Sequence, residues 1–76
     1  MKNLLTVIAK HMVDYPDQVS VREINGENTI VLELTVAKKD LGKIIGAKGR
    51  NIGAIRAIIK AASGKIHKRI VVELIE

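Results

Sequence analysis

The sequence contains no cysteine, tryptophan or phenylalanine, and its single aromatic residue is Tyr15. Without cysteine the chain cannot form a disulfide framework or a thiolate metal site. With one aromatic ring, the core must be built from aliphatic residues, and the chain supplies twelve Ile, eight Val and six Leu. The apolar fraction of 47% is too high for a disordered chain, and the length of 76 residues predicts one domain with one modest core.

Long hydrophobic runs are also missing. The apolar stretch at residues 4–9 is ended by Lys10 and is too short for a signal sequence or a membrane helix, so we expect a cytoplasmic protein. No carboxylate pair or activated nucleophile stands out, and His11 and His67 are far apart in the sequence without a third ligand. We therefore expect neither an enzyme nor a metal or cofactor site.

The net charge of +5 is distributed unevenly along the chain. Residues 38–69 contain ten Lys or Arg and one Asp, a net charge of +9, whereas the rest of the chain carries −4. Such a basic segment favours binding to a polyanion, most often a nucleic acid, with a solvated basic surface as the alternative. A membrane surface is disfavoured because no basic stretch accompanies a bulky aromatic face.

Hydrophobic periodicity and turn residues predict the order α-β-β-α-α-β. The Tyr15-Pro16 pair ends the first helix, and Asn25-Gly26 predicts a tight hairpin turn that tolerates positive φ. Two helices connect the last two strands, so these strands are expected to be parallel. The result is an α+β fold with a three-stranded mixed sheet and three helices on one face. The predicted elements are helix 2–14, strand 19–24, strand 30–36, helix 41–45, helix 50–62 and strand 67–75.

The turn Gly46-Ala47-Lys48-Gly49 joins the last two predicted helices. Glycine permits a tight turn and a close approach of another backbone. The turn opens into the N-terminus of the longer helix, where free N–H groups and the helix dipole favour an anion. With Lys48 and Arg50 beside it, the turn is expected to hold one or two phosphates.

Two common phosphate-binding motifs are absent. No G-x-G-x-x-G spacing follows a strand, and neither Gly42-Lys43 nor Gly64-Lys65 continues into Ser or Thr as a Walker loop requires. Nucleotide hydrolysis therefore has no support. Gly42 and Gly53 are expected to allow close helix packing, because each costs roughly 1 kcal/mol of helix propensity.

The helix predicted over residues 50–62 has an apolar arc of about 180°, whereas one core requires roughly 100°. The surplus is expected around Ile55 and Ile59, facing either bases in a groove or a partner chain. Arg56 and Lys60, four residues apart, lie beside this arc on one polar edge.

The stretch Ile45-Gly46-Ala47-Lys48-Gly49-Arg50-Asn51-Ile52 resembles the G-x-x-G signature of the KH domain, and Gly42-Lys43-Ile44-Ile45 resembles the usual approach to that loop. The element order resembles the type II, prokaryotic KH arrangement. The resemblance covers almost the whole chain, so residues 1–76 are expected to form a single KH domain. The length is similar to that of the small bacterial single-KH proteins of the KhpA family.

This resemblance implies binding of single-stranded RNA. Residues 46–49 would grip the backbone of about four nucleotides, Ile45, Ile52 and Ile55 would form an apolar floor under the bases, and residues 65–69 would be the variable loop across the groove. The low aromatic content favours KH over RNA-recognition-motif and OB folds, which stack bases on aromatic rings. Tyr15 is expected at the core edge or surface. The expected RNA-binding residues are Ile45, Gly46, Ala47, Lys48, Gly49, Arg50, Ile52, Ile55, Arg56 and Lys60.

The resemblance also implies an RNA chaperone or post-transcriptional regulator, linked in that family to cell shape and envelope homeostasis. It implies a homodimer, or a heterodimer with a larger KH-containing protein of the Jag type. One alternative is an interaction subunit whose partner supplies most of the RNA binding. Single-stranded DNA remains an alternative to RNA. A helix-turn-helix binder of duplex DNA is disfavoured because residues 52–62 offer mostly Ile and Ala.

Overall fold

The computed structural model describes residues 1–76 and has the predicted order α-β-β-α-α-β. The last two helices have the predicted bounds, whereas the first helix ends two residues early and the last strand begins two residues late. The first two strands are each displaced by one residue from their predicted bounds. Three short 3-10 turns, at Pro16–Gln18, Lys38–Asp40 and Ala47–Gly49, were not predicted. None of the helices is long and apolar enough to cross a membrane. The elements are α1 (Lys2–Met12), β1 (Ser20–Asn25), β2 (Thr29–Thr35), α2 (Leu41–Ile45), α3 (Arg50–Ala62) and β3 (Arg69–Ile75).

The three strands form one mixed sheet in the order β1-β2-β3. Strand β2 is antiparallel to β1, with Val21 opposite Leu34, and parallel to β3, with Leu32 opposite Val72. The connection from β2 to β3 passes through α2 and α3, as a parallel pair requires. The mixed three-stranded sheet is therefore confirmed, and β3 is left as an edge strand beside α3.

The core lies between the sheet and the helices and is aliphatic, as the composition predicts. Alternate residues of the strands point to the helices, which is why Leu32, Leu34 and Val72 are buried while the residues between them are not. Burial of each such side chain contributes about 1.5–3 kcal/mol. The helices contribute Leu5, Ala9, Ile44, Ile52, Ile55 and Ile59.

The hairpin between β1 and β2 turns two residues later than the sequence predicts, at Glu27 and Asn28. The last pair of the ladder joins Asn25 to Ile30, and the Gly26 N–H donates to the Thr29 carbonyl at 2.7 Å. Neither Asn25 nor Gly26 has positive φ. The prediction of a tight turn at Asn25-Gly26 was wrong because the strand register places the polar Glu27 and Asn28 in the turn, where both are exposed.

A buried carboxylate fixes the start of α2. Asp40 is 0% exposed, and its two carboxylate oxygens accept hydrogen bonds from the backbone N–H groups of Asp14 and Tyr15, at 3.1 and 3.0 Å. A buried carboxylate is tolerated only when such bonds replace water. Asp40 thereby attaches the segment after α1 to the short helix that leads into the glycine turn.

Candidate nucleic-acid interface

The glycine loop (Gly46–Gly49) joins α2 to α3 through backbone conformations that L-residues rarely adopt. Gly46 has φ 74° and ψ 171°, and Gly49 has φ 73°. Lys48 also has positive φ, at 56°, and is the only non-glycine residue that does. Left-handed backbone at Lys48 costs about 1–2 kcal/mol. The loop is thus held in a defined, strained shape between two helices.

Asn51 braces this loop from the first turn of α3. Its Nδ2 donates to the Lys43 carbonyl at 2.8 Å, which connects α3 back to α2. A Cβ atom added to Gly46 would lie 2.5 Å from the Asn51 Cγ, whereas one added to Gly49 would have nothing within 4 Å. Gly46 is therefore required by both conformation and close packing, and Gly49 by conformation alone.

The side chains at the tip of the loop point into solvent. Ala47, Lys48 and Arg50 are exposed, and the two cationic side chains make no ion pair within the chain. Helix α3 begins at Arg50 without a side-chain cap, so the positive end of its dipole lies beside these free cations. The predicted seat for a phosphate is thus formed by exposed groups that have no competing partner.

A groove runs along α3 on the side that faces the edge of β3. One part is a cavity of about 340 Å³ lined by Arg56, Lys60 and residues 69–73. It shares Lys60 and Arg69 with a second cavity of about 430 Å³ at the C-terminal end of α3. The structure therefore brings Arg56 and Lys60 together with the predicted variable loop. The cationic side chains that line the groove are Arg56, Lys60, Lys68 and Arg69.

Arg56 is fixed across the groove rather than free in solvent. Its Nε and Nη2 atoms both donate to the Val72 carbonyl, at 3.2 Å each. This carbonyl lies on an edge strand, where backbone groups that have no neighbouring strand need another partner. A guanidinium carries five N–H donors, so Arg56 keeps donors for a ligand while it satisfies the strand edge.

The structure corrects the predicted apolar floor. Ile52 and Ile55 are only 8% and 2% exposed and lie in the core, so their side chains do not line an open groove in this structure. Ile45 is half-buried beside the loop. The apolar side chain common to both cavities is instead Ile70 of β3. Because α3 packs on the sheet through Ile52, Ile55 and Ile59, its core-facing stripe cannot also face bases.

The surplus apolar surface of α3 does not lie around Ile55 and Ile59 as predicted, because these two side chains pack on the sheet. Ile55 and Ile59 are buried, whereas Ile58 is 48% exposed. The prediction that Gly42 and Gly53 allow close helix packing was also wrong, because a Cβ added at either position would meet nothing within 4 Å. Exposed apolar side chains on the side of α3 away from β3 include Ala54, Ala57, Ile58 and Ala61.

One ion pair stabilises the approach to the loop. The Lys43 Nζ lies 2.9 Å from the Asp14 Oδ2. The hydrogen bond to Asp14, together with its negative charge, raises the pKa of Lys43 above the ordinary value of 10.5. Lys43 therefore remains protonated over the physiological pH range. Sequence reasoning missed Asp40, Asn51 and the Lys43–Asp14 pair; for Asp14 and Asp40 the partners are 25 to 29 residues away.

The fold and the glycine loop together define a KH domain of the type II arrangement. A family model described as "KhpA/KhpB, KH domain" matches residues 2–74. The chain belongs to this family. Membership confirms the predicted resemblance to this family.

Similar proteins support the family assignment over the full length. The chain is 57% identical to the RNA-binding protein KhpA of Clostridium acetobutylicum over 75 residues, which cover 99% of this chain and 100% of the relative. It is 51% identical to KhpA of Clostridium perfringens, with the same coverage. It is 46% identical to KhpA of Aquifex aeolicus over 76 residues, covering 100% of this chain and 96% of the relative.

Solved structures show the same fold at low sequence identity. The crystal structure of Era in complex with MgGDPNP and nucleotides 1506–1542 of 16S ribosomal RNA matches with a TM-score of 0.60 and 19% identity. The match covers 97% of this chain and 30% of the Era chain. At this identity the similarity shows the fold alone.

Proposed function

We propose that residues 1–76 act as a single KH domain that binds short single-stranded RNA beside the glycine loop. The relatives at 46–57% identity are named RNA-binding proteins, which supports RNA as the ligand. The cationic groups of the loop and groove supply the attraction for phosphates that any such binding requires. The residues proposed to contact RNA directly are Ile45, Gly46, Ala47, Lys48, Gly49, Arg50, Arg56 and Lys60, with Ile52 and Ile55 supporting the groove from the core.

The observation that carries this proposal is the shape of the glycine loop. Gly49 has no Cβ and open space where a Cβ would lie, so a ribose-phosphate backbone can approach the loop closely there. Positive φ at Gly46, Lys48 and Gly49 turns the chain so that the Lys48 side chain projects at the start of α3. Asn51 holds this shape before any ligand is present, so binding need not order the loop.

We propose that the groove beside α3 contacts the bases, in addition to the phosphates bound at the glycine loop. A strand that leaves the glycine loop along α3 meets Arg56 and Lys60 on one side and Ile70 on the other. Aliphatic and backbone groups can hold bases there without aromatic rings. Because no aromatic side chain lines this groove, bases gain no stacking energy there, and we expect modest affinity.

For the biological role, we propose an RNA chaperone or post-transcriptional regulator in the cytoplasm. The small size of the domain and its exposed apolar surface on α3 support action with a second KH-containing chain. A link to cell shape and envelope homeostasis rests on the family resemblance alone.

The direct test replaces Ala47 and Lys48 by Asp in one variant. Both side chains are exposed, and Asp tolerates the left-handed conformation at position 48, so the fold is expected to survive. We expect a loss of RNA affinity of at least about tenfold, because the net charge at the loop falls by 3. A matched control, Lys2→Asp with Asn3→Asp, makes the same charge change at the exposed start of α1. Equal RNA affinity of the two variants would contradict the site.

A salt titration of the wild-type protein gives a second readout. Three or four phosphate contacts to a single strand predict a log–log slope of about −2 to −3. A flat dependence of affinity on salt would contradict an electrostatic grip by the loop and groove.

A second candidate function, an interaction subunit, is favoured by one observation. Ile58 is 48% exposed among exposed alanines on the side of α3 away from the groove. Sedimentation of the wild type and of Ile58→Lys distinguishes the two functions. If RNA affinity depends on self-association and falls with it in Ile58→Lys, the interaction role is primary. If the Ile58→Lys variant is a monomer and binds RNA as tightly as the wild type, RNA binding is the primary role.

A further inference from the structure

The only aromatic ring of the chain lies on the surface. Tyr15 is 42% exposed and lines a concave pocket of about 300 Å³. In a protein with so small an aliphatic core, a tyrosine ring would ordinarily be buried, because its burial removes a large apolar area from water. The remaining residues that line this pocket are Gln18, Ala37, Lys38 and Lys39.

The pocket is held in place by the buried Asp40. The backbone N–H of Tyr15 donates to the Asp40 Oδ2 at 3.0 Å, and Asp40 directly follows Lys38 and Lys39 in the chain. The Lys39 Nζ lies 5.9 Å from the centre of the Tyr15 ring, within cation–π distance. The ring and the two lysines therefore form one anchored unit, with a flat surface for a base and cations for a phosphate.

This unit is close to the glycine loop. The turn Lys38–Asp40 runs directly into α2, which ends at Ile45 beside Gly46, so the helical rise from Lys38 to Gly46 is about 13 Å. Lys43 lies between the two sites and is paired with Asp14, so the cations available to a phosphate beside Tyr15 are Lys38 and Lys39, which make no ion pair.

We propose that Tyr15, Lys38 and Lys39 form a second RNA subsite. A base that flanks the nucleotides held by the glycine loop stacks on the Tyr15 ring, and its phosphate contacts Lys38 or Lys39. The subsite rests on the proposed RNA-binding function and lengthens the bound segment beyond the four or so nucleotides of the loop. Base stacking on an aromatic ring is tolerant of sequence, so the subsite increases affinity without adding a base preference.

Tyrosine fluorescence provides the test, because Tyr15 is the only fluorescent side chain. The probes are oligoadenylates of four and of about ten nucleotides, with affinities measured separately by anisotropy of a labelled 3′ end. We expect both probes to bind and only the longer one to quench Tyr15. We expect Tyr15→Leu to weaken the longer probe about fivefold or more, Tyr15→Phe to retain its affinity, and both variants to bind the shorter probe as the wild type does.

Unchanged Tyr15 fluorescence with the longer probe would overturn the subsite, as would equal affinities of wild type and Tyr15→Leu for that probe. Quenching by the four-nucleotide probe would also overturn it, because Tyr15 would then belong to the primary site. The fluorescence experiment uses the wild-type protein, so it decides even if Tyr15→Leu does not fold. Failure of the four-nucleotide probe to bind would instead contradict the glycine-loop site.

Discussion

The two sides of α3 that flank its buried stripe have opposite character. On the polar flank, Arg56 and Lys60 line the cavity at the edge of β3, and Gly53 is their neighbour on the helix surface, three residues before Arg56. The apolar flank, formed by Ala54, Ala57, Ile58 and Ala61, faces away from the sheet. Between them, Ile52, Ile55 and Ile59 attach the helix to the core. One helix of 13 residues therefore presents two separate surfaces, and each can serve a different partner.

The polar flank carries two cationic side chains, Arg56 and Lys60, whereas the apolar flank as defined carries none. This difference is the reason that we propose RNA for the polar flank and self-association or another protein chain for the apolar flank.

The largest effect is expected from Gly46→Ala. The conformation of Gly46 is almost restricted to glycine, and the new methyl group would displace Asn51 from the Lys43 carbonyl. We expect a loss of about 3 kcal/mol in the free energy of unfolding, from backbone strain and a lost hydrogen bond. Position 49 also has positive φ, but an added Cβ would have open space there, so we expect Gly49→Ala to lower the free energy of unfolding by only about 1–2 kcal/mol. Urea denaturation measures both values, and equal losses would contradict the bracing role of Asn51.

The second effect comes from Arg56→Gln combined with Lys60→Gln. We expect RNA affinity to fall about tenfold and the salt slope to become less steep by about 1.4, since two phosphate contacts are removed. The matched control is Lys2→Gln with Lys10→Gln, which removes the same charge from exposed positions of α1. Fluorescence anisotropy at several salt concentrations measures both quantities. A control with the same reduced slope would mean that overall charge, not the polar flank, attracts RNA.

The smallest effect is a gain in stability. Gly53 and Gly42 are helical glycines with open space, so replacing either with Ala is expected to raise the free energy of unfolding by up to about 1 kcal/mol. Only Gly53→Ala is expected to reduce RNA affinity, because it places a methyl group on the polar flank. Thermal unfolding and RNA titration of the two variants provide the comparison. Equal RNA affinities would show that the ligand does not approach the backbone at Gly53.

Much of the fold could be predicted because it follows from periodicity. Alternating apolar residues define β2, helical spacing defines α3, and the Gly46–Gly49 spacing marks the loop that joins α2 to α3. These patterns are local, so they are readable in sequence order. The order of elements follows from these same patterns, and the mixed sheet follows from the lengths of the connections between the strands.

The remainder depends on contacts between distant residues. The apolar arc of α3 is continuous in sequence, and only packing on the sheet decides that Ile55 is buried and Ile58 exposed. Asp40 looks like a surface residue between lysines until the backbone of Asp14 and Tyr15 reaches it. Tyr15 is remote from the glycine loop in sequence, and this contact places its pocket at the start of the helix that ends at the loop.

We propose that the glycine loop and the polar flank of α3 bind single-stranded RNA, whereas the apolar flank does not. Backbone amide chemical shifts measured by NMR during titration with a short oligoadenylate test this residue by residue. We predict the largest shifts at residues 46–51, Gly53, Arg56, Lys60 and Ile70, with Ala54, Ala57, Ile58 and Ala61 little changed. Shifts concentrated on the apolar flank, with residues 46–51 unchanged, would contradict the account.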